Sequence, residues 1–216
     1  MFKAIIESRK RTTLVHDALQ EVLNMLERAE GMFGAACGAL LNKEEVIADI
    51  DRADREINAG ERMVRRLIFE HLTLNPQQDL PATLALISIV HNVERLGDYA
   101  KSLLELNQWA ELYSNEGQYA PLCRDMHAAI APLFGQVAEA LRQSDADVAR
   151  QVMRQHEEIK ERSDAFIKTA MEDAGSQREA VLYTLASRFL RRTSAHLSNI
   201  ASSVANPVDR VTGKEV

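Results

Sequence analysis

Two acidic residues, Asp54 and Glu61, stand on a helical stripe whose other members are Ile47, Ile50, Ile57, Val64 and Ile68. A carboxylate on an apolar seam needs a partner, because burying an unpaired charge is costly. A second stripe, spaced 4,3,4,3,4, runs Leu80, Leu84, Ile87, His91, Glu94, Asp98, beginning apolar and ending in a histidine and two carboxylates. Glu94 and Asp98 are four residues apart, hence on one helix face and one turn removed. If the two segments form an antiparallel hairpin turning near Pro76 and Gln77, Asp54 lies level with Asp98 and Glu61 level with Glu94. Four carboxylates so placed raise one another's pKa values or take up a cation, and hard oxygen ligands suit iron, manganese, magnesium or calcium. Asp54, Glu61, Glu94 and Asp98 are therefore candidate metal ligands. The alternative is ordinary charge pairing, since Arg55, Arg62, Arg65, Arg66 and Arg95 are near in sequence. Asp51, beside the seam, reads as a solvated residue, and His91 as a satisfied core histidine rather than a ligand.

The elements that must position these groups are helices. The first is expected from about Lys3 to Leu41, with Leu19, Val22, Leu26, Ala29, Phe33, Cys37 and Leu40 on one stripe. Asn42 followed by Glu45 resembles a capping box opening a second helix to about Leu74. Turn chemistry at Asn75 to Asp79 precedes a third helix, with Pro81 in its first turn, that runs to about Leu112. Ser114 to Gly117 divides the halves. A fourth helix is expected over about Tyr119 to Gln143, a fifth is capped within Ser144 to Asp147 and broken at Gly175-Ser176, and a sixth ends near Asn206-Pro207.

The halves read as copies. Phe33-Gly34 matches Phe134-Gly135 and Leu40 matches Leu141 at an offset of 101, Asn42 matches Ser144 at 102, and Glu94 matches Arg191 at 97. The expected fold is all-α, two tandem three-helix bundles over 1–113 and 118–206 with a tail at 207–216. In the second copy the ladder positions become His156 beside Ala195 and Ser163 beside Arg191, so no carboxylate survives. Arg188, Arg191 and Arg192 make that face basic, available to an anion or to Glu157, Glu158 and Glu161.

Composition narrows the classes. The 216 residues are 46% apolar and 27% charged with only 9 glycines and 5 prolines, which excludes disordered, collagenous and low-complexity chains. Lysine plus arginine number 26 against 32 acids, a net charge of −6, the wrong sign for gripping phosphate backbones, so no nucleic acid is expected. No apolar run reaches the ~20 residues of a membrane span, and the charged start predicts a cytoplasmic protein. Cys37 and Cys123 lack CxxC spacing and read as inert buried thiols. Walker, nucleophile-elbow, HExxH and dinucleotide motifs are missing, and no Glu-x-x-His pair of a di-iron oxidase is present.

The run Glu94-Arg95-Leu96-Gly97-Asp98-Tyr99-Ala100 resembles the signature helix of the PhoU family, ERxGDxA. Arg191 to Ile200 resembles the family's second copy, ERxGDHxxNI, keeping Arg192, His196, Asn199 and Ile200 while Arg191 and Ala195 replace the acid pair. The resemblance implies two three-helix bundles in the cytoplasm and a non-enzymatic, negative regulator of phosphate uptake. Glu94 and Asp98 match the motif and Asp54 its helix-two partner, which implies iron, zinc or another divalent cation in the first bundle and none in the second. The implied partners are a phosphate transporter, through its ATPase or as a sodium/phosphate cotransporter, and a sensor kinase, with membrane contact only indirect and a homodimer allowed. The alternatives are a ligand-free helical adaptor and a metal-carboxylate enzyme on the same ladder.

Overall fold

The structure is a computed structural model that describes residues 13–46, 49–113, 119–172 and 177–206. Among these are six helices and no strand: α1 (Thr13–Asn42), α2 (Ile50–Leu74), α3 (Leu80–Tyr113), α4 (Ala120–Gln143), α5 (Ala146–Glu172) and α6 (Gln177–Ala205). The expected start of α1 at Lys3, the breaks at Ser114 to Gly117 and Gly175-Ser176, and the 207–216 tail lie outside the described residues.

The expected capping box at Asn42 does not form. Lys43 adopts a left-handed φ of 58° and Glu44 N–H donates to the Gly38 carbonyl at 3.1 Å, so the chain closes α1 there instead of opening the next helix. Asp49 is the true N-cap of α2, accepting from Arg52 N–H at 2.8 Å. The second half repeats the left-handed cap at Ser144, φ 54°, an offset of 101 from Lys43. There Asp145 follows at once as the next cap, accepting from the N–H groups of Asp147 and Val148 at 2.9 and 3.1 Å. The counterparts of the start of α5, Glu44 to Val46, thus lie outside any helix in the first half.

Helices α1, α2 and α3 pack mutually, as do α4, α5 and α6, and the two units join through α1 against α4 and α3 against α6. One continuous apolar core runs through both units. Residues one repeat apart meet at the junction. The Phe33 and Phe134 rings lie 5.4 Å apart, and Tyr99 stacks on His196 at 5.5 Å, offsets of 101 and 97. Self-equivalent contacts of this kind are what a two-fold interface produces, here inside one chain.

Two glycines permit the close approach of α2. A Cβ on Gly60 would sit 2.6 Å from Met25 Cγ, and one on Gly97 would sit 3.2 Å from Ile57 Cδ1. Gly97 of the signature run is therefore a spacer between α3 and α2. The stripe Leu80, Leu84, Ile87, His91 does not face inward: these side chains are exposed, Leu84 by 47%. The buried face of α3 is carried by Ala82, Ala85, Leu86, Ile89, Val90, Val93 and Leu96, because the helix packs on both α1 and α6 and turns the 4,3,4 stripe outward.

Candidate functional site

The α2–α3 hairpin brings the acidic residues to one outer surface of the first unit. Glu61 and Glu94 are level, as their spacing predicts, and His91 lies between them: its Nδ1 is 3.6 Å from Glu61 Oε1 and 3.4 Å from Glu94 Oε2. His91 is half exposed, contrary to the core histidine expected of it. Its Nε2 accepts from Arg95 Nε at 3.3 Å, which leaves Nδ1 as the protonated nitrogen turned toward the two carboxylates.

Each carboxylate also meets a cation. Asp54 accepts from Lys101 Nζ at 3.1 Å, Glu61 from Arg65 at 2.7 Å and Asp98 from Arg95 at 3.0 Å, while Arg95 Nε is 3.5 Å from Glu94. Asp54 therefore meets Lys101, one turn beyond the Asp98 expected opposite it. Lys101 is the residue that the spacing argument passed over. The pair Asp54 and Lys101 is centred between residues 77 and 78, the same hairpin centre as Glu61 and Glu94.

Glu94 is the anomalous member. Its Oε2 is buried without a hydrogen-bond partner, and its pKa is raised, first by burial and then by the charges of Asp98 and Glu61, against the opposing pull of Arg95 and His91. A cleft of about 420 Å³ lined by Asp49, Asp51, Lys101 and Glu105 opens at one end of the ladder, with Asp51 solvated as expected. Among the described residues, no three His, Cys, Asp or Glu side chains converge as metal ligands do.

The second unit fills the equivalent positions with neutral hydrogen bonds. His156 Nδ1 lies 2.9 Å from Ser194 Oγ, and Ser163 Oγ lies 2.9 Å from Ser187 Oγ, deep in the bundle. The partners are Ser194 and Ser187 in place of the expected Ala195 and Arg191, and Arg191 turns out to pair with Asp164. Burial lowers the His156 pKa, so its ring stays neutral.

The remnant of the second signature serves the seam between α3 and α6. Asn92 Oδ1 accepts from Asn199 Nδ2 at 3.2 Å and meets His196 Nδ1 at 2.9 Å, and Arg192 Nε donates to the Tyr99 hydroxyl at 3.1 Å. Burial, followed by the charges of Arg192, His91 and Arg95, pushes the His196 pKa down to about 4. Cys37 and Cys123 are free, buried thiols; burial pushes Cys123 up to about 12 and Cys37 higher still, which makes both poor nucleophiles.

Comparison with known proteins places this geometry. The PhoU domain family matches residues 22–106 and 123–204, one match on each three-helix unit. The chain is 29% identical over 206 residues to the phosphate-specific transport system accessory protein PhoU homolog of Synechocystis sp., covering 90% of this chain and 88% of that protein. Its fold is similar to that of PhoU from Pseudomonas aeruginosa, with a TM-score of 0.82 at 20% identity over 90% of this chain and 97% of that one. It is also similar to the phosphate transport system regulatory protein PhoU from Streptococcus pneumoniae, with a TM-score of 0.78 at 20% identity over 88% and 92%.

Proposed function

This chain belongs to the PhoU family, and we propose on that premise that it is a non-enzymatic regulator of phosphate transport acting by docking on other proteins. The observation that carries the reading is that the family match falls on both units while the signature run Glu94 to Ala100 presents Arg95 and Asp98 on the outer face of α3. Its relative in Synechocystis sp. is named as an accessory protein of phosphate-specific transport, which supports a transporter as partner. The partner classes are a transporter ATPase, a sodium/phosphate cotransporter or a sensor kinase, met from the cytoplasmic side and with membrane contact only through them. No helix among the described residues is long and apolar enough to cross a membrane. A homodimer is compatible with this role.

The test is phosphate uptake in a deletion strain, with capture of partners by tagged protein in low and high phosphate. Altered uptake and recovery of a phosphate transporter component or sensor kinase are expected. Unchanged uptake with recovery of the protein alone would favour a ligand-free adaptor, and redox or hydrolytic turnover dependent on Glu94 would favour a metal-carboxylate enzyme.

A second reading concerns metal. Asp54, Glu61, Glu94 and Asp98 are its candidate ligands for iron, zinc or another divalent cation, and the observation in its favour is the buried Glu94 Oε2, which accepts no hydrogen bond and has only His91 and Arg95 at 3.4 and 3.5 Å. The side chains as arranged do not fit a cation, because Lys101, Arg65 and Arg95 hold Asp54, Glu61 and Asp98. Binding therefore requires these cations to swing away. Elemental analysis of protein purified without chelators should find metal that Asp98→Ala abolishes; equal content in the wild type and Glu94→Ala/Asp98→Ala would refute the site.

A further inference from the structure

The outward stripe of α3 continues below the acidic residues as Ile87, Leu84 and Leu80, all exposed. The hairpin register of the ladder, Glu61 level with Glu94 and Asp54 with Lys101, places Leu84 level with His71 and Ile87 level with Ile68, so Phe69 of α2 lies within a turn of both. Phe69 is 74% exposed. Arg65 and Arg66 lie within a turn of the level of Ile87. On α2 the residues Arg62, Arg66 and Phe69 follow one another at helical spacing on the solvent side. Residues 62–74 contain three arginines and a single acid, Glu70, within a chain of net charge −6. Arg65 is tied to Glu61, whereas Arg62 and Arg66 have no carboxylate within ion-pair distance among the described residues.

The repeat keeps only part of this surface. At the equivalent positions of the second unit, Met171 stands for Phe69 and Val181 for Leu84, both exposed, whereas Gln177 stands for Leu80, Thr184 for Ile87 and Asp164 for Arg62, and Lys168, which stands for Arg66, pairs with Glu172. The full strip of four apolar residues with Arg62 and Arg66 beside it belongs to the first unit.

We propose that the strip Phe69, Leu80, Leu84 and Ile87, rimmed by Arg62 and Arg66, docks an acidic amphipathic helix of a partner protein. This deepens, and rests on, the docking role proposed above. Leu80 to Ile87 spans roughly 10 Å along α3, about two helical turns, which matches anchors at i, i+3/i+4 and i+7 of a helix laid along the hairpin. The arginines select a partner with carboxylates beside those anchors.

The probe is a synthetic helical peptide with leucines at i, i+3, i+4 and i+7 flanked by glutamates, titrated against the full chain by fluorescence anisotropy. Saturable, salt-weakened binding is expected, weaker by roughly tenfold or more in Arg62→Glu/Arg66→Glu and in Leu84→Ser, and unchanged in Met171→Ser on the second unit. Helical content by circular dichroism certifies each variant as folded. No saturable binding, or equal binding of a lysine-flanked peptide, would overturn the proposal. So would preferential binding to vesicles rich in anionic lipid, or a wild-type dimer that Leu84→Ser dissociates. Binding intact in vitro but no change of phosphate uptake on deletion overturns the regulator reading alone. Phosphate uptake still controlled by a Leu84→Ser protein that no longer binds the peptide overturns this face alone.

Discussion

His196 is kept neutral first by burial, with Asn92 and Tyr99 against its ring, and then by the positive charge of Arg192 and Arg95 around it. Its folded pKa of about 4 lies below the ordinary 6.5, so the unfolded chain takes up the proton first as pH falls. Stability should therefore decline from about pH 6.5 down toward pH 4 and level off below. With allowance for its partial exposure, the loss is on the order of 1–2 kcal/mol. Urea denaturation across that range should show a shallower decline in His196→Gln than in the wild type; parallel curves would place the acid sensitivity elsewhere. Lys101 offers a second check at this scale. Its Nζ holds Asp54, so Lys101→Ala should raise divalent-cation affinity at the ladder, measured by calorimetry, whereas unchanged affinity would show that Lys101 does not compete with metal.

At the scale of elements, the position of α2 depends on two missing side chains. Met25, against which a Cβ on Gly60 would press, is completely buried and has nowhere to retreat. Gly60→Ala should destabilise by about 1–3 kcal/mol despite the better helix propensity of alanine. Gly97→Ala crowds the tip of Ile57 and reaches Met32 only at ordinary contact distance, and should cost less, within about 1 kcal/mol. Chemical denaturation of the two variants orders them, and a reversed order would mean that α2 yields more easily than α3. The N-cap Asp145, bonded to two successive N–H groups, should cost about 1 kcal/mol on change to alanine.

The whole molecule is two copies sharing one core. Since α1 and α3 bury their second faces against α4 and α6, neither unit alone covers its apolar surface. Unfolding should be a single cooperative transition, and separately expressed 1–113 and 118–206 should be unstable alone yet associate when mixed, as gel filtration and melting curves will show. Independent melting of two fully stable halves would refute a shared core. Phe33 and Phe134, wholly buried and in ring contact, should each cost about 3–5 kcal/mol on truncation to alanine.

Helical periodicity, the sparse turn residues and the repeat were legible without a structure, because each is a local or translational property of the chain. So were the candidate ladder and the level pairing of Glu61 with Glu94, since a hairpin centre is a matter of counting. What counting could not decide was direction around each helix. A stripe of leucine, isoleucine and histidine suits an inner seam and an exposed groove equally, and α3 turns it outward only because α1 and α6 claim its other faces. Likewise, four carboxylates spaced for a cation become ion pairs because Lys101, Arg65 and Arg95 reach them first, a choice made by side-chain reach across helices. The stacked Tyr99 and His196 show the same division. Their equivalence was written in the repeat, but that they touch follows from the docking of one unit on the other.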